Sequence, residues 1–118
     1  MRRIAILVIA FTCMVGFTAA QQIQFNYNGR ANVLGTPFNG EGQFKLALTN
    51  YDGTITYWAN DEVTLDGNEP TTAVTFTITD GFFSIDVGDT NIAGMAELNA
   101  ALFNNEGDVY LRAWFNDG

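Results

Sequence analysis

The chain has 118 residues, carries thirteen acidic against five basic side chains, and contains no histidine and one cysteine, Cys13. That balance, a formal −8, removes the electrostatic basis for nucleic-acid binding and disfavours any polyanionic ligand. The length suits one small domain, and a lone cysteine allows no disulfide within the chain.

Met1-Arg2-Arg3 leads into an apolar run from Ile4 to Val15 and then Gly16-Phe17-Thr18-Ala19-Ala20. A positive start, an apolar middle and small residues at the end predict a secretory signal peptide cleaved after Ala20. The run is shorter than the roughly 20 apolar residues of a spanning helix. Ala10-Phe11-Thr12 ahead of Cys13 is a poor lipobox, so a soluble export signal is expected rather than a lipid anchor. Residues 21–118 then form the domain, secreted or at the cell surface. It keeps Arg30, Lys45 and Arg112 against all thirteen acids, a net −10, and no cysteine. Such a domain must rely on its core, a bound ion or partner chains.

Ile23 to Asn28 alternates apolar and polar residues, which predicts a half-buried strand with a bulge at Gly29 and a continuation through Val33. Gly35 to Gly40, around Pro37, is turn chemistry. Gln43 to Thr49 alternates again, and Asn50-Tyr51-Asp52-Gly53 should close a hairpin onto Thr54 to Ala59. A two- or four-residue loop places Ile55 and Tyr57 with Phe44, Leu46 and Leu48, and sends Trp58 to the opposite face with Ala47 and Thr56. Val63 and Leu65 suggest a short strand before the polar loop Asp66 to Pro70.

Thr71 to Val87 reads as a hairpin turning at Asp80-Gly81, a type I′ pair. A two-residue loop sets Thr79 opposite Phe82, Ile78 opposite Phe83, Phe76 opposite Ile85 and Val74 opposite Val87, the last three pairs on one face. Met95, Leu98 and Leu102 recur at helical spacing and predict a short helix or helical turn within Ile92 to Phe103. Asp108 to Phe115 is the last strand, with Val109, Leu111, Ala113 and Phe115 on one face and Tyr110, Arg112 and Trp114 on the other. A strand apolar on one side and aromatic on the other should be covered on both, yet only the turn Asn116-Asp117-Gly118 follows. The expectation is a partner strand further along a longer protein, so that residues 21–118 are C-terminally truncated. About seven short strands, glycine-rich turns and one minor helix predict an all-β antiparallel sandwich lacking its last strand.

The order Thr36-Pro37-Phe38-Asn39-Gly40, Gly42-Gln43-Phe44-Lys45-Leu46-Ala47-Leu48, Tyr57-Trp58, Asp80-Gly81-Phe82-Phe83-Ser84, Gly88-Asp89-Thr90 and Tyr110-Leu111-Arg112-Ala113-Trp114-Phe115 resembles the N-terminal β-rich domain of large exported bacterial proteins. In that family collagen-like repeats, fibrous stalks or tail-spike-type chaperone ends often follow. The resemblance covers nearly all of residues 22–118 and implies a surface-exposed structural or adhesive module, without transferring any binding residue. Family members usually continue with another strand and a Leu-Thr-Pro-Arg-like segment ending near Pro-Tyr-Ala. This chain stops before it.

Three constellations bear on chemistry. Nucleophilic catalysis lacks a base in a domain without histidine or cysteine, and a paired-carboxylate hydrolase through Asp86 and Asp89 has little room for a substrate cleft. No enzyme is expected. Calcium could find hard oxygens on three loops: Asp66, Asn68 and Glu69; Asp86, Asp89 and Asn91; and Asn104, Asn105, Glu106 and Asp108. The same residue types also serve turns for conformational reasons alone. Trp58, Tyr110, Arg112 and Trp114 could stack on and hydrogen-bond a glycan, or pack beneath a helix, a missing strand or a neighbouring subunit. The expected partners are therefore the chain's own continuation, a second copy held through fibrous segments, or a glycan. The sequence reads as a non-catalytic structural or adhesive module of a fibrous protein, with a carbohydrate-binding module as the alternative.

Overall fold

A computed structural model describes residues 21–105 and 107–118, so the predicted signal peptide lies outside the described residues. Among the described residues eight strands and one helix run in the order β1 (Phe25–Arg30), β2 (Asn32–Val33), β3 (Thr36–Pro37), β4 (Gly40–Thr49), β5 (Thr56–Ala59), β6 (Val74–Ile78), β7 (Phe82–Val87), α1 (Ala101–Asn105) and β8 (Tyr110–Asn116). Pairing is antiparallel throughout, and the fold is all-β with a short helix, as the alternation predicts.

β4 is the axis. Its inward set, Gly42, Phe44, Leu46 and Leu48, is buried. One edge of β4 pairs with β6 over Gly40 to Phe44 and with β5 over Ala47 to Thr49. The other edge pairs with β8 from Gln43 to Thr49. The last strand is thus laddered along its whole length on one side. A two-stranded layer of β1 and β7 packs across this sheet, and Phe44, Leu46, Leu48, Trp58, Val74, Ile78, Ile85, Val87, Met95 and Leu98 form the shared core.

The Asp80-Gly81 turn forms as that dipeptide favours, with φ of 55° and 81°, and the Phe82 amide donates to Thr79 O at 3.0 Å. The ladder expected beyond it does not form. Thr79↔Phe82 is an isolated bridge, after which β6 runs to β4 and β7 to β1. The turn is a corner between two layers, held by the Gly81 amide on Phe38 O and the Ala31 amide on Gly81 O. The inward residues are nevertheless those predicted, because two layers stacked face to face bury the same alternating sets that a covered hairpin would.

Trp58 also departs from expectation. The loop onto β5 is closed by the Asn50 amide on Ile55 O, and the Asn50 side chain accepts from the Ile55 amide and donates to Thr54 Oγ1. The ladder then shifts by one residue, with Leu48 opposite Trp58 but Thr49 opposite Thr56, leaving Tyr57 as the extra residue of a bulge. That shift reverses the parity. Trp58 turns inward to 7 % exposure and Ile55 faces solvent.

Smaller corrections follow the same logic. Gly29 stays in register opposite Phe83, where a Cβ would lie 3.0 Å from the ring edge, so it admits an aromatic rather than a bulge. Val63 and Leu65 are exposed and form no strand. The helical prediction contracts to Ala101–Asn105, begun by the Asn99 side chain accepting from the Ala101 amide. Met95 and Leu98 still enter the core, from a chain of tight turns.

Asn60 fills the gap between β5 and β6 on the edge of β4. Its amide donates to Leu46 O at 2.9 Å, and its side-chain oxygen accepts from the Leu46 amide at 2.9 Å. Its side-chain nitrogen donates to Thr72 O and Gly94 O, and its carbonyl accepts from the Ala96 amide. It is 2 % exposed with every polar group satisfied. The next residue, Asp61, clamps the loop that follows. One carboxylate oxygen accepts from the Val63 and Thr64 amides, the other from the Thr64 hydroxyl and the Thr71 amide and hydroxyl. Partial burial opposes its ionisation, but these donors outweigh it and hold the carboxyl at about 2, against an ordinary 3.8.

Two outcomes are expected. Asn60→Ala, which strands the Leu46 amide and two carbonyls, should cost about 3 kcal/mol or more in urea unfolding. Because the folded Asp61 is depressed below its unfolded value, its contribution is fully present above about pH 4 and disappears as pH falls toward 2. Denaturation midpoints across that window should therefore fall less steeply in Asp61→Asn than in the wild type.

Candidate functional site

The register of β8 on β4 sorts its side chains. Leu111, Ala113 and Phe115 lie opposite Leu48, Leu46 and Phe44 and so face the core side, while Tyr110, Arg112 and Trp114 lie opposite Thr49, Ala47 and Lys45 on the outer side. The three outer residues predicted together are indeed together. Trp58 is not with them: it lies in the core on the other face, and its indole N–H donates to Glu97 O at 2.9 Å.

The outer side is mostly covered. Ala47, Thr49, Thr56 and Ala59 are buried although they point away from the core, because the segment from Asp61 to Ala73 folds over them. The Thr56 amide donates to Leu65 O and its hydroxyl accepts from the Gly67 amide. Two cations pin this acidic segment. Lys45 Nζ lies 3.3 Å from Glu69, and Arg112 donates to the carbonyls of Gly67 and Gly53 at 3.3 and 3.5 Å. The Arg112 guanidinium also lies 4.7 Å from the centre of the Trp114 ring, a cation–π contact.

Two depressions flank Arg112. One, about 200 Å³, is bounded by Trp114, Lys45, Glu69, Gln43, Ala73 and Asn116. The other, about 370 Å³, lies beside Tyr110 and Tyr51, whose rings meet edge to face at 5.8 Å. Alternation alone placed Tyr110, Arg112 and Trp114. Lys45 was visible as an outward residue of β4, but nothing local signalled that Glu69 would fold back to meet it.

The inner side of β8 is less finished. Ala113 is exposed although it faces inward, and Phe115 is 38 % exposed. Between β8 and β1 runs a groove of about 390 Å³, lined by the aromatic rings of Tyr27, Phe44, Phe83 and Phe115 together with the polar Arg30 and Asn32. Phe44 anchors it, with the rings of Phe83 at 4.8 Å and Phe115 at 5.1 Å. The edge of β8 away from β4 has no strand partner among the described residues.

Of the three oxygen-rich loops, the one around Asn104, Asn105, Glu106 and Asp108 includes Glu106, which lies outside the described residues, and the other two do not converge. Asp86 points outward from β7 and accepts from Asn26 Nδ2 at 3.1 Å, and Asp89 accepts from the Asn91 amide at 3.0 Å in a local turn. Asp66 and Asn68 lie on the covering segment, and Glu69 is held by Lys45. Among the described residues no three acidic side chains gather at a point that could hold an ion.

Comparison with known proteins adds no template, since no family model, curated protein or solved structure matches the chain. From the geometry, thermal melts in millimolar calcium and in EDTA should superimpose. A calcium-dependent rise in Tm would show that Asp86, Asp89 and Asn91 or a neighbouring loop rearrange to bind.

Proposed function

We propose that this chain is an exported, non-catalytic structural or adhesive module of a longer fibrous surface protein. The observation that carries the reading is β8: an amphipathic strand with one edge laddered, the other without a strand partner among the described residues, and an aromatic-lined groove beneath its inner side. Such an edge is a joint at which further β-structure adds, main-chain bonds supplying affinity and the groove supplying side-chain contacts. The N-terminal export pattern and the resemblance to β-rich domains of exported bacterial proteins agree with that role. So does a strongly acidic surface, which favours solubility outside the cell. Of the cations, Lys45 and Arg112 are engaged in holding the covering segment rather than poised in a cleft.

A second reading, a carbohydrate-binding module, draws on the depression beside Trp114, where an aromatic ring adjoins Gln43, Asn116, Lys45 and Glu69. A neutral glycan is the class that a net charge of this sign would tolerate. One preparation tests both. Material recovered outside the cytoplasm should begin at Gln21, and its tryptophan fluorescence should stay flat on titration with cellohexaose and other neutral oligosaccharides. A saturable shift that Trp114→Ala abolishes in a folded protein would replace the structural reading with the carbohydrate one.

A further inference from the structure

The open edge of β8 is self-complementary, and in one register only. Resting on the reading of that edge as a joint, we propose that its occupant is a second copy of this chain. The two β8 strands pair antiparallel about a two-fold axis at Ala113.

The edge itself is unguarded. Long open strands are usually protected by proline, by a bulge or by an inward-pointing charge. β8 has no proline, no glycine and no acid, and its ladder on β4 is unbroken for seven residues. Its one charge, Arg112, is turned to the outer face and drawn back over Trp114. Inward, the strand offers Leu111, exposed Ala113 and part-exposed Phe115.

Pairing preserves the faces only if directly opposed residues share a parity, since a slip of one residue turns the apolar set of one copy outward. An axis at Ala113, the midpoint of the strand, meets that condition. It sets Leu111 against Phe115 of the second copy, Arg112 against Trp114 and Tyr110 against Asn116. Apolar then meets apolar on the inner side, and each guanidinium meets an indole on the outer side, repeating across the axis the contact each copy already makes within itself.

The next registers of the same parity are worse. An axis at Arg112 opposes two guanidiniums. An axis at Trp114 brings Asp117 inward against Leu111. Asp108 and Asp117, just outside the strand, therefore bound the paired segment on both sides. β8 itself carries no acid, so pairing two copies along it sets no carboxylates of the strand against each other in this strongly acidic domain. The product is a continuous sheet in which the two grooves between β8 and β1 abut and the exposed Ala113 side chains are covered.

The chain lends itself to a direct test, because Cys13 is its only cysteine. In the full chain carrying Cys13→Ser, Ala113→Cys places a sole thiol at the axis. Opposed residues in an antiparallel ladder have Cα atoms about 4.5–5.5 Å apart, within disulfide range. Mild oxidation should convert most of the protein to a covalent dimer. Leu111→Cys should not cross-link with itself, since its mate lies four residues away, roughly 13 Å along the strand. Ala113→Lys, at an exposed position, should leave the circular dichroism spectrum unchanged while shifting sedimentation from dimer to monomer. Equal cross-linking at residues 111 and 113, or a monomer at all concentrations with no dimer trapped at residue 113, overturns self-pairing. If that occurs while the oligosaccharide titration stays flat, the structural reading stands with another strand at the edge. If the titration saturates through Trp114, that reading fails independently.

Discussion

The architecture depends on one buried amide. β4 is long enough to serve two strands along a single edge, but β5 and β6 do not meet end to end there, and a bare gap would strand the peptide groups of Leu46. Asn60 mimics a strand at that point. Its backbone and side chain together take both hydrogen bonds that Leu46 offers, and its remaining groups tie in Thr72, Gly94 and Ala96. A buried network of this kind is valuable only when complete, since each unsatisfied member carries its full desolvation penalty. Here it is complete, so a single residue registers β5, the covering segment and the turns carrying Met95 and Leu98 against the central strand.

From that anchor the two faces of the sheet acquire different characters. The inner face is closed by the β1–β7 layer and by Met95 and Leu98, except toward β8, where aromatic rings line an incompletely filled groove. The outer face is closed by an acidic segment whose larger apolar side chains, Val63 and Leu65, lie exposed to solvent. Polar clamps hold it instead: Asp61 at its start, Lys45 on Glu69, and Arg112 on the Gly67 carbonyl. The salt bridge between Lys45 and Glu69 is partly exposed and contributes modestly, as such pairs do. What it adds is position, keeping the segment beside Trp114.

Periodicity told which side of each strand faces inward, and that reading survives at Val74, Ile78, Ile85, Val87, Leu46 and Leu48. It could not tell which strand is the neighbour, because an alternating strand buries the same residues in a hairpin or in a stacked layer. The Asp80-Gly81 turn is the plainest case: correct turn, correct inward residues, wrong ladder. Trp58 failed for a different reason. A single extra residue, Tyr57, reverses parity, and no local propensity marks where a bulge will fall. The candidate site divides in the same way. Tyr110, Arg112 and Trp114 share a face because they alternate, whereas the arrival of Glu69 and the burial of Trp58 are tertiary facts; the turn that holds Asp89 is local, the conformational use of such residues that the sequence also offered.

The corner at Asp80-Gly81 has a consequence for how the chain reaches this state. By splitting two neighbouring strands between layers, it removes a local pairing and replaces it with distant ones, β1 with β7 and β4 with β6 and β8. Closing such loops costs entropy before any contact repays it, so folding is set by topology and slowed. β1, made first, finds no ladder until most of the domain exists, and β4 is completed on its second edge only by the last strand. A polypeptide with that schedule gains its full set of ladders only once β8 is available to the second edge of β4.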